Sequence, residues 1–514
     1  MPGPLEVTVE PWGPDPDRVA DVAHKALSQS PTARLVGLRP LDAGDEPVPP
    51  QAVRATLYDY DEGQALLVDL PLEGDGPSRV VATARQPLPG ADELEAALDV
   101  VREDHELGSA LRDGKLVAYR SMPPVVEEEL PDGRIERTLT VGLRPAADGD
   151  DGHEIVGVRL GRREVVRYEG KAPPTAMAAA RRCGIPDAGQ NTVVGRAGAA
   201  RITVKRDGET LWRLVAVRPA ASSGDMGSGV ELRGVAYRGK RVLRRAHVPI
   251  LNVRYENDAC GPYRDWQNEE SRFKATGAAV APGFRLCPQP AETIFESRSD
   301  QGNFAGVAVY VDGQEVVLVS ELAAGWYRYV SRWRLHADGT IKARFGFDAV
   351  NNTCVCRTHH HHAYWRLDFD IAGAGDDVVL EYNDPPLEGH DGNWHTLKHE
   401  VRRKRNPGRK RRWRVRTQGT NEGYVITPGA NDGEADGYGV GDFWALRHRA
   451  NQTDDGAVAT TTRAALDAFV NGESIVGTNV VVWYAAHFTH VTGHDHQAAG
   501  GGHIVGPTLK PDRW

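Results

Sequence analysis

Thr358-His-His-His-His-Ala-Tyr-Trp-Arg-Leu-Asp-Phe-Asp370 decides how this chain is read. Four consecutive imidazoles lead into an aromatic and apolar run that ends in two carboxylates. An extended backbone sends His359 and His361 to one face and His360 and His362 to the other. Two imidazoles on one strand face make half of a copper or zinc site. An exposed polar loop is the plainer alternative. A second cluster lies further on, in Val480-Val-Val-Trp-Tyr-Ala-Ala-His-Phe-Thr-His490. His487 and His490 follow an apolar strand there, and one of them can complete a three-histidine site.

Around these two segments the pattern is that of strands and turns. Val242–Val248, Gly306–Tyr310, Glu315–Glu321, Tyr327–Leu335, Ile341–Gly346, Ala363–Ile371, Val378–Tyr382, Trp413–Arg416 and Val480–Tyr484 all read as strands. So many strands with little helix mean a large antiparallel β-sandwich over residues 230–514. Before it, two similar α+β units are expected at residues 1–86 and 87–170. Each opens with an amphipathic helix, Pro16–Ser28 and Ala91–Glu103, followed by short strands. Residues 171–229 read as a connector holding a short helix at Ala176–Arg182 and a hairpin. The fold class is therefore α+β, with the sandwich carrying the chemistry.

Composition sets the outer bounds. The chain has 514 residues, 40% of them hydrophobic and 26% charged, as in ordinary globular proteins. The formal net charge of -9 argues against a nucleic-acid partner. The first residues lack a basic stretch followed by an apolar one, and no run approaches a membrane span, so a cytoplasmic protein is expected. Five cysteines are too few for a disulfide scaffold.

The chemistry-bearing segments resemble those of the copper amine oxidases. That family carries H-x-H before an aromatic strand ending R-L-D-x-D, as in His359-His-His361 and Arg366-Leu-Asp-Phe-Asp370. Its third ligand lies in W-Y-x-x-G-x-x-H, which Trp483-Tyr-Ala-Ala-His-Phe-Thr-His490 matches except that His487 replaces glycine. The resemblance implies that His359, His361 and His490 hold copper. Arg412-Trp-Arg-Val415 with Gly423-Tyr-Val-Ile-Thr-Pro-Gly429 resembles another family segment, and the α+β units resemble the small domains preceding its catalytic domain.

The family makes a topaquinone from a tyrosine in G-N-Y-[DE]-[YN]. Gly325-Trp-Tyr-Arg-Tyr329 matches, which places Tyr327 as precursor, with Trp326 in place of Asn and Arg328 in place of the acid. An unmodified strand tyrosine is the plainer reading. The family also uses an aspartate in Y-x-D-x-G, after a V-P-Y block, to take the substrate's α-proton. Val253-Arg-Tyr255 and Tyr263-Arg-Asp265 are similar, so Asp265 is the candidate base. As a bare feature it reads as a surface carboxylate.

Asp368 and Asp370 alternate on the strand face opposite His359 and His361, and hard oxygen ligands suit calcium. The resemblance implies a structural divalent cation there, with Asn479 and the backbone carbonyls of Phe369 and Val480. Cys354 and Cys356 could ligate metal or form a redox pair, or be packed and inert; the resemblance pairs Cys260 with Cys287. The basic run Arg402–Arg416 reads as an exposed hairpin, which in the family embraces a second subunit, so a homodimer is implied. His494, His496 and His503 can line an entrance or sit in a solvated loop. The activity implied is oxidation of a primary amine by O2 to aldehyde, ammonia and hydrogen peroxide. The alternatives are a quinone-free copper oxidase or oxygenase on the same scaffold, and a non-catalytic metal-binding homologue.

Overall fold

The fold follows from which strands are buried on both faces. Val480–His490 begins with eight consecutive buried residues, and all ten residues of Glu315–Ala324 are buried. Such continuous apolar runs belong in the middle of a packed sheet. Ala199–Arg206 alternates buried and half-buried residues over most of its length, as a one-sided strand does.

In this computed structural model, residues 3–27, 32–41, 48–74, 79–83, 86–121, 124–129, 131, 135–146, 154–168, 183–186, 188, 192–193, 195–258, 260–352, 354–371, 373, 375–457, 463–491 and 503–514 are described. The helix expected at 176–182 and the histidines at 494 and 496 lie outside them.

Two large sheets form a sandwich. The first runs, neighbour to neighbour, Glu6–Pro11, Ala199–Arg206, Glu209–Val217, Glu231–Tyr237, Lys240–Tyr255, His359–Phe369, Val480–His490, Phe443–Arg447 and Val401–Arg403. The second carries Glu315–Ala324, Tyr327–His336 and Ile341–Ala349 side by side, and continues through Thr508–Asp512 and Gly423–Thr427 to Arg412–Thr417. Pairing is antiparallel almost throughout. Among the described residues Phe284–Leu286 lies parallel to Val307–Asp312, and a single bridge joins Ile185 to Val350 in parallel. One continuous apolar core fills the space between these sheets.

Two small sheets stand apart with cores of their own. Ala33–Leu41, Ala52–Asp59, Gln64–Pro71 and Arg79–Thr83 pack under the helix Pro16–Leu27. A second sheet, centred on Ile135–Pro145, packs under Ala91–Glu103. The units meet at Glu93, whose buried carboxylate pairs with Arg137 at 2.8 Å and accepts from Tyr60 Oη at 2.5 Å.

The basic run is not a hairpin. Val401–Arg403 pairs with Phe443–Arg447 in the first sheet, and Arg412–Thr417 pairs with Asp377–Tyr382 in the second. The run therefore crosses between layers. Arg403 and Arg411 both reach the buried Glu381, at 3.1 and 3.3 Å, and that carboxylate is what draws the segment inward.

Candidate metal centre

Strand pairing builds the site. His359–Phe369 and Val480–His490 run antiparallel with His359 opposite His490 and His361 opposite Phe488. Alternation puts His359, His361 and His490 on the face turned to the second sheet, where Tyr327, Tyr329 and Phe347 meet them. All three imidazoles are buried. The ring of His359 lies 5.0 Å from that of His361 and 4.6 Å from that of His490. Imidazoles bound at about 2.0 Å to one ion hold their ring centres roughly 4.5–5.2 Å apart, so these spacings fit a shared metal.

Hydrogen bonds set which nitrogen each ring offers. His359 Nδ1 lies 2.6 Å from the Arg357 carbonyl oxygen. A carbonyl only accepts, so Nδ1 carries the proton and Nε2 the lone pair. Tyr329 donates its hydroxyl proton to Asp265 Oδ2. Its oxygen lies 3.1 Å from His361 Nδ1, so that nitrogen donates to it and Nε2 is again the lone pair. His361 Nε2 is buried with no hydrogen-bond partner among the described residues. Burial, then His359 and His490, hold His361 well below the usual imidazole range, which keeps it neutral as a metal ligand must be. Among the described residues no group of three or more His, Cys, Asp or Glu side chains is arranged so that it could hold a metal ion as it stands. Binding would draw the rings inward.

The aromatic side of the site is equally closed. The Tyr327 ring lies 4.8 Å from that of His361. Its hydroxyl is 2.6 Å from Tyr255 Oη, which also accepts from Trp326 Nε1 at 3.0 Å. Burial raises Tyr327 well above the ordinary phenol range, against the Tyr255 and Trp326 hydrogen bonds. Arg328 turns away to the buried Asp300, at 2.7 Å. Tyr255 therefore joins the site although no role was assigned to it; the signal was its place in Val253-Arg-Tyr255. Asp265 is buried rather than on the surface, and burial raises it well above the carboxylate range, with the Tyr329 hydrogen bond opposing. Leu251, Tyr329, Phe347, His361, Phe488 and His503 border a cavity of about 10 Å³, room for about one water. His503 lies beside it, 5.3 Å ring to ring from His490. A far larger cleft, about 720 Å³, lies against Trp12, Leu35 and Val217 and contains none of these residues.

On the opposite strand face, Asp368 pairs with Arg366 and His448 at 3.2 and 3.3 Å, and Asp370 with Arg241 at 3.2 Å. The Asn479 side-chain oxygen is buried without a hydrogen-bond partner among the described residues. Asp377 joins this group, unforeseen, because a bridge to Thr478 brings it alongside. Burial pushes Asp377 up to about 8; the Val480 backbone N–H opposes, and Asp370 and Asp368 add to the rise. Such mutually repelling buried carboxylates fit a hard cation.

The cysteine expectations are corrected. Cys354 is bonded to Cys260 and Cys356 to Cys183, while Cys287 is a buried free thiol. The turn before the histidine strand packs between two distant segments, so its neighbouring cysteines take separate partners and form neither a metal pair nor a redox pair.

Three solved structures share this fold over nearly the whole chain. The copper-containing benzylamine oxidase of Hansenula polymorpha matches with TM-score 0.55 and 11% identity, over 100% of this chain and 94% of its own. Pichia pastoris lysyl oxidase matches with TM-score 0.56 and 11% identity, over 98% and 90%. The amine oxidase of Aspergillus nidulans matches with TM-score 0.56 and 13% identity, over 99% and 91%. No protein-family model and no curated protein matches the sequence. The chain has a copper amine oxidase-like fold.

Proposed function

We propose that this chain is a copper-dependent oxidoreductase that oxidises a primary amine with O2, giving aldehyde, ammonia and hydrogen peroxide. One observation carries the reading. His359 and His361 turn unprotonated Nε2 atoms into a buried space shared with His490, beside the phenol of Tyr327. Copper held by His359, His361 and His490 would supply the oxygen chemistry that converts the Tyr327 phenol to a topaquinone, and that group would supply the carbonyl chemistry for a primary amine.

The chain's own residues have separable tasks. Tyr255 holds the Tyr327 oxygen in place. Asp265, buried and held by the Tyr329 hydroxyl, would take the substrate's α-proton as a carboxylate. Tyr329 positions Asp265 and fixes the His361 tautomer together. Asp368, Asp370, Asp377 and Asn479, with the Phe369 and Val480 carbonyls, would hold a structural calcium ion. A homodimer belongs to the same proposal. No helix among the described residues is long and apolar enough to cross a membrane. The two disulfides favour an oxidising compartment over the cytoplasm expected from the first residues.

The test is copper loading in air. The parent should gain a visible band, react with phenylhydrazine and release peroxide with amines. His361→Ala should lose at least 100-fold in copper affinity by equilibrium dialysis. Tyr327→Phe should keep copper yet lose the colour and the activity. A colourless parent that binds copper and still consumes oxygen with substrate would favour the quinone-free oxidase, which the altered Trp326 and Arg328 flanks also favour.

A further inference from the structure

His360 and His362, unused above, form with His487 a second cluster on the far face of the same two strands. His362 stands opposite His487 in the ladder, with Nδ1 facing Nδ1 at 2.8 Å. His487 Nε2 lies 2.9 Å from the Gly441 carbonyl oxygen and 2.9 Å from Asp442 Oδ1. Both of those oxygens only accept, so Nε2 carries the His487 proton and its Nδ1 is a lone pair. His362 must then donate from Nδ1, which leaves its Nε2 as a lone pair. That Nε2 is buried, has no hydrogen-bond partner among the described residues, and lies 3.7 Å from Asp436 Oδ2.

Asp436 is held for the same purpose. Its Oδ1 accepts from the backbone N–H groups of Tyr438 and Gly439 at 2.7 and 2.6 Å, which turns Oδ2 to the gap. His360 Nδ1 lies 3.8 Å from that same Oδ2 and 3.0 Å from Thr489 Oγ1, a hydrogen bond that ligation through Nδ1 would replace. An imidazole lone pair facing a carboxylate oxygen repels it unless a cation lies between them. The loop can press this close only because residue 439 is glycine: a Cβ there would sit 2.2 Å from His362 Nδ1.

We propose that His362, Asp436 and His360 bind a divalent transition-metal ion of the zinc class, separate from the three-histidine site. Ligand bonds of about 2.0–2.2 Å at tetrahedral angles put donors roughly 3.3–3.4 Å apart. Closing the two imidazole–Asp436 gaps of 3.7 and 3.8 Å therefore takes about 0.4 Å of side-chain movement each. Asp442 and His487 form the supporting chain behind His362, the arrangement that orients ligating imidazoles in metal sites. His360 and Asp436 are each about one-third exposed (35% and 32%), which leaves an entry path and a position for water. Arg254 stands over the Tyr438 ring at 5.7 Å and bears on the His362 imidazole as a positive charge. Imidazole ligation rather than net attraction then selects the ion, favouring zinc over calcium or magnesium.

Zinc counting on the purified full chain tests this, with calcium present to fill the carboxylate site and copper to fill the three-histidine site. The parent should hold one zinc ion more per chain than His362→Ala, and His361→Ala should leave that ion in place. Asp436→Asn keeps the Oδ1 hydrogen bonds and should weaken the same ion at least tenfold without moving Tm. A crystal soaked in zinc should show anomalous density between His362 Nε2 and Asp436 Oδ2. If His362→Ala and Asp436→Asn both retain the parent's zinc count and affinity, the proposal falls, whatever becomes of the copper site. Loss of zinc in His361→Ala alone would sink it equally.

Discussion

A proton on one nitrogen of an imidazole decides which nitrogen can face a metal. At His359 a single carbonyl makes that choice, and at His361 a tyrosine already committed to Asp265 makes it. Other buried groups carry a cost that shows in solution. Glu321 accepts from the Ile294 N–H at 2.6 Å, but burial pushes it up to about 8 from 4.5. Between those values the folded chain keeps a proton that the unfolded chain releases, so stability falls as pH rises through that window, by at most about 1.4 kcal/mol per pH unit. Glu321→Gln should match the parent near pH 5 and exceed it near pH 8.5 in urea unfolding; parallel pH curves would refute the assignment. At the carboxylate cluster, calcium should raise the parent's Tm by several degrees. Asp377→Asn should abolish that gain, and an unchanged calcium response would remove Asp377 from the ligand set.

Among elements, the histidine strand and its neighbour were legible as strands from the aromatic and apolar runs that follow His362 and precede His487. Alternation then assigned His359 and His361 to one face and His360 and His362 to the other, as found. The turn Cys354–Cys356 was not legible, since the partners Cys260 and Cys183 lie 94 and 173 residues away. Nothing local distinguishes Cys260 from Cys287 as a partner. This turn leads directly to Arg357, whose carbonyl orients His359. Cys356→Ser should lower stability by roughly 2–5 kcal/mol and weaken copper binding severalfold, read by thermal unfolding and copper titration. Unchanged copper affinity would show that the turn does not set the ligand.

At the scale of the molecule, the first strand belongs to the large sheet, where Glu6–Pro11 covers the edge of Ala199–Arg206. Removing residues 1–12 should bare that edge and drive self-association; a monodisperse truncated protein in gel filtration, with parent Tm, would contradict this. Sequence by itself determined the strand-rich class, the helices opening the two small units, and the histidines available to a site, because periodicity and side-chain chemistry are local. It also carried the resemblance that anticipated the fold. Only the tertiary structure decided which distant groups meet: Tyr255 with Tyr327, Asp265 with His361 through Tyr329, Asp377 with Asp370, and His362 with His487. Those meetings depend on sheet order, register and the crossing of layers, which bring together residues tens to hundreds of positions apart, and no local preference in the chain encodes them.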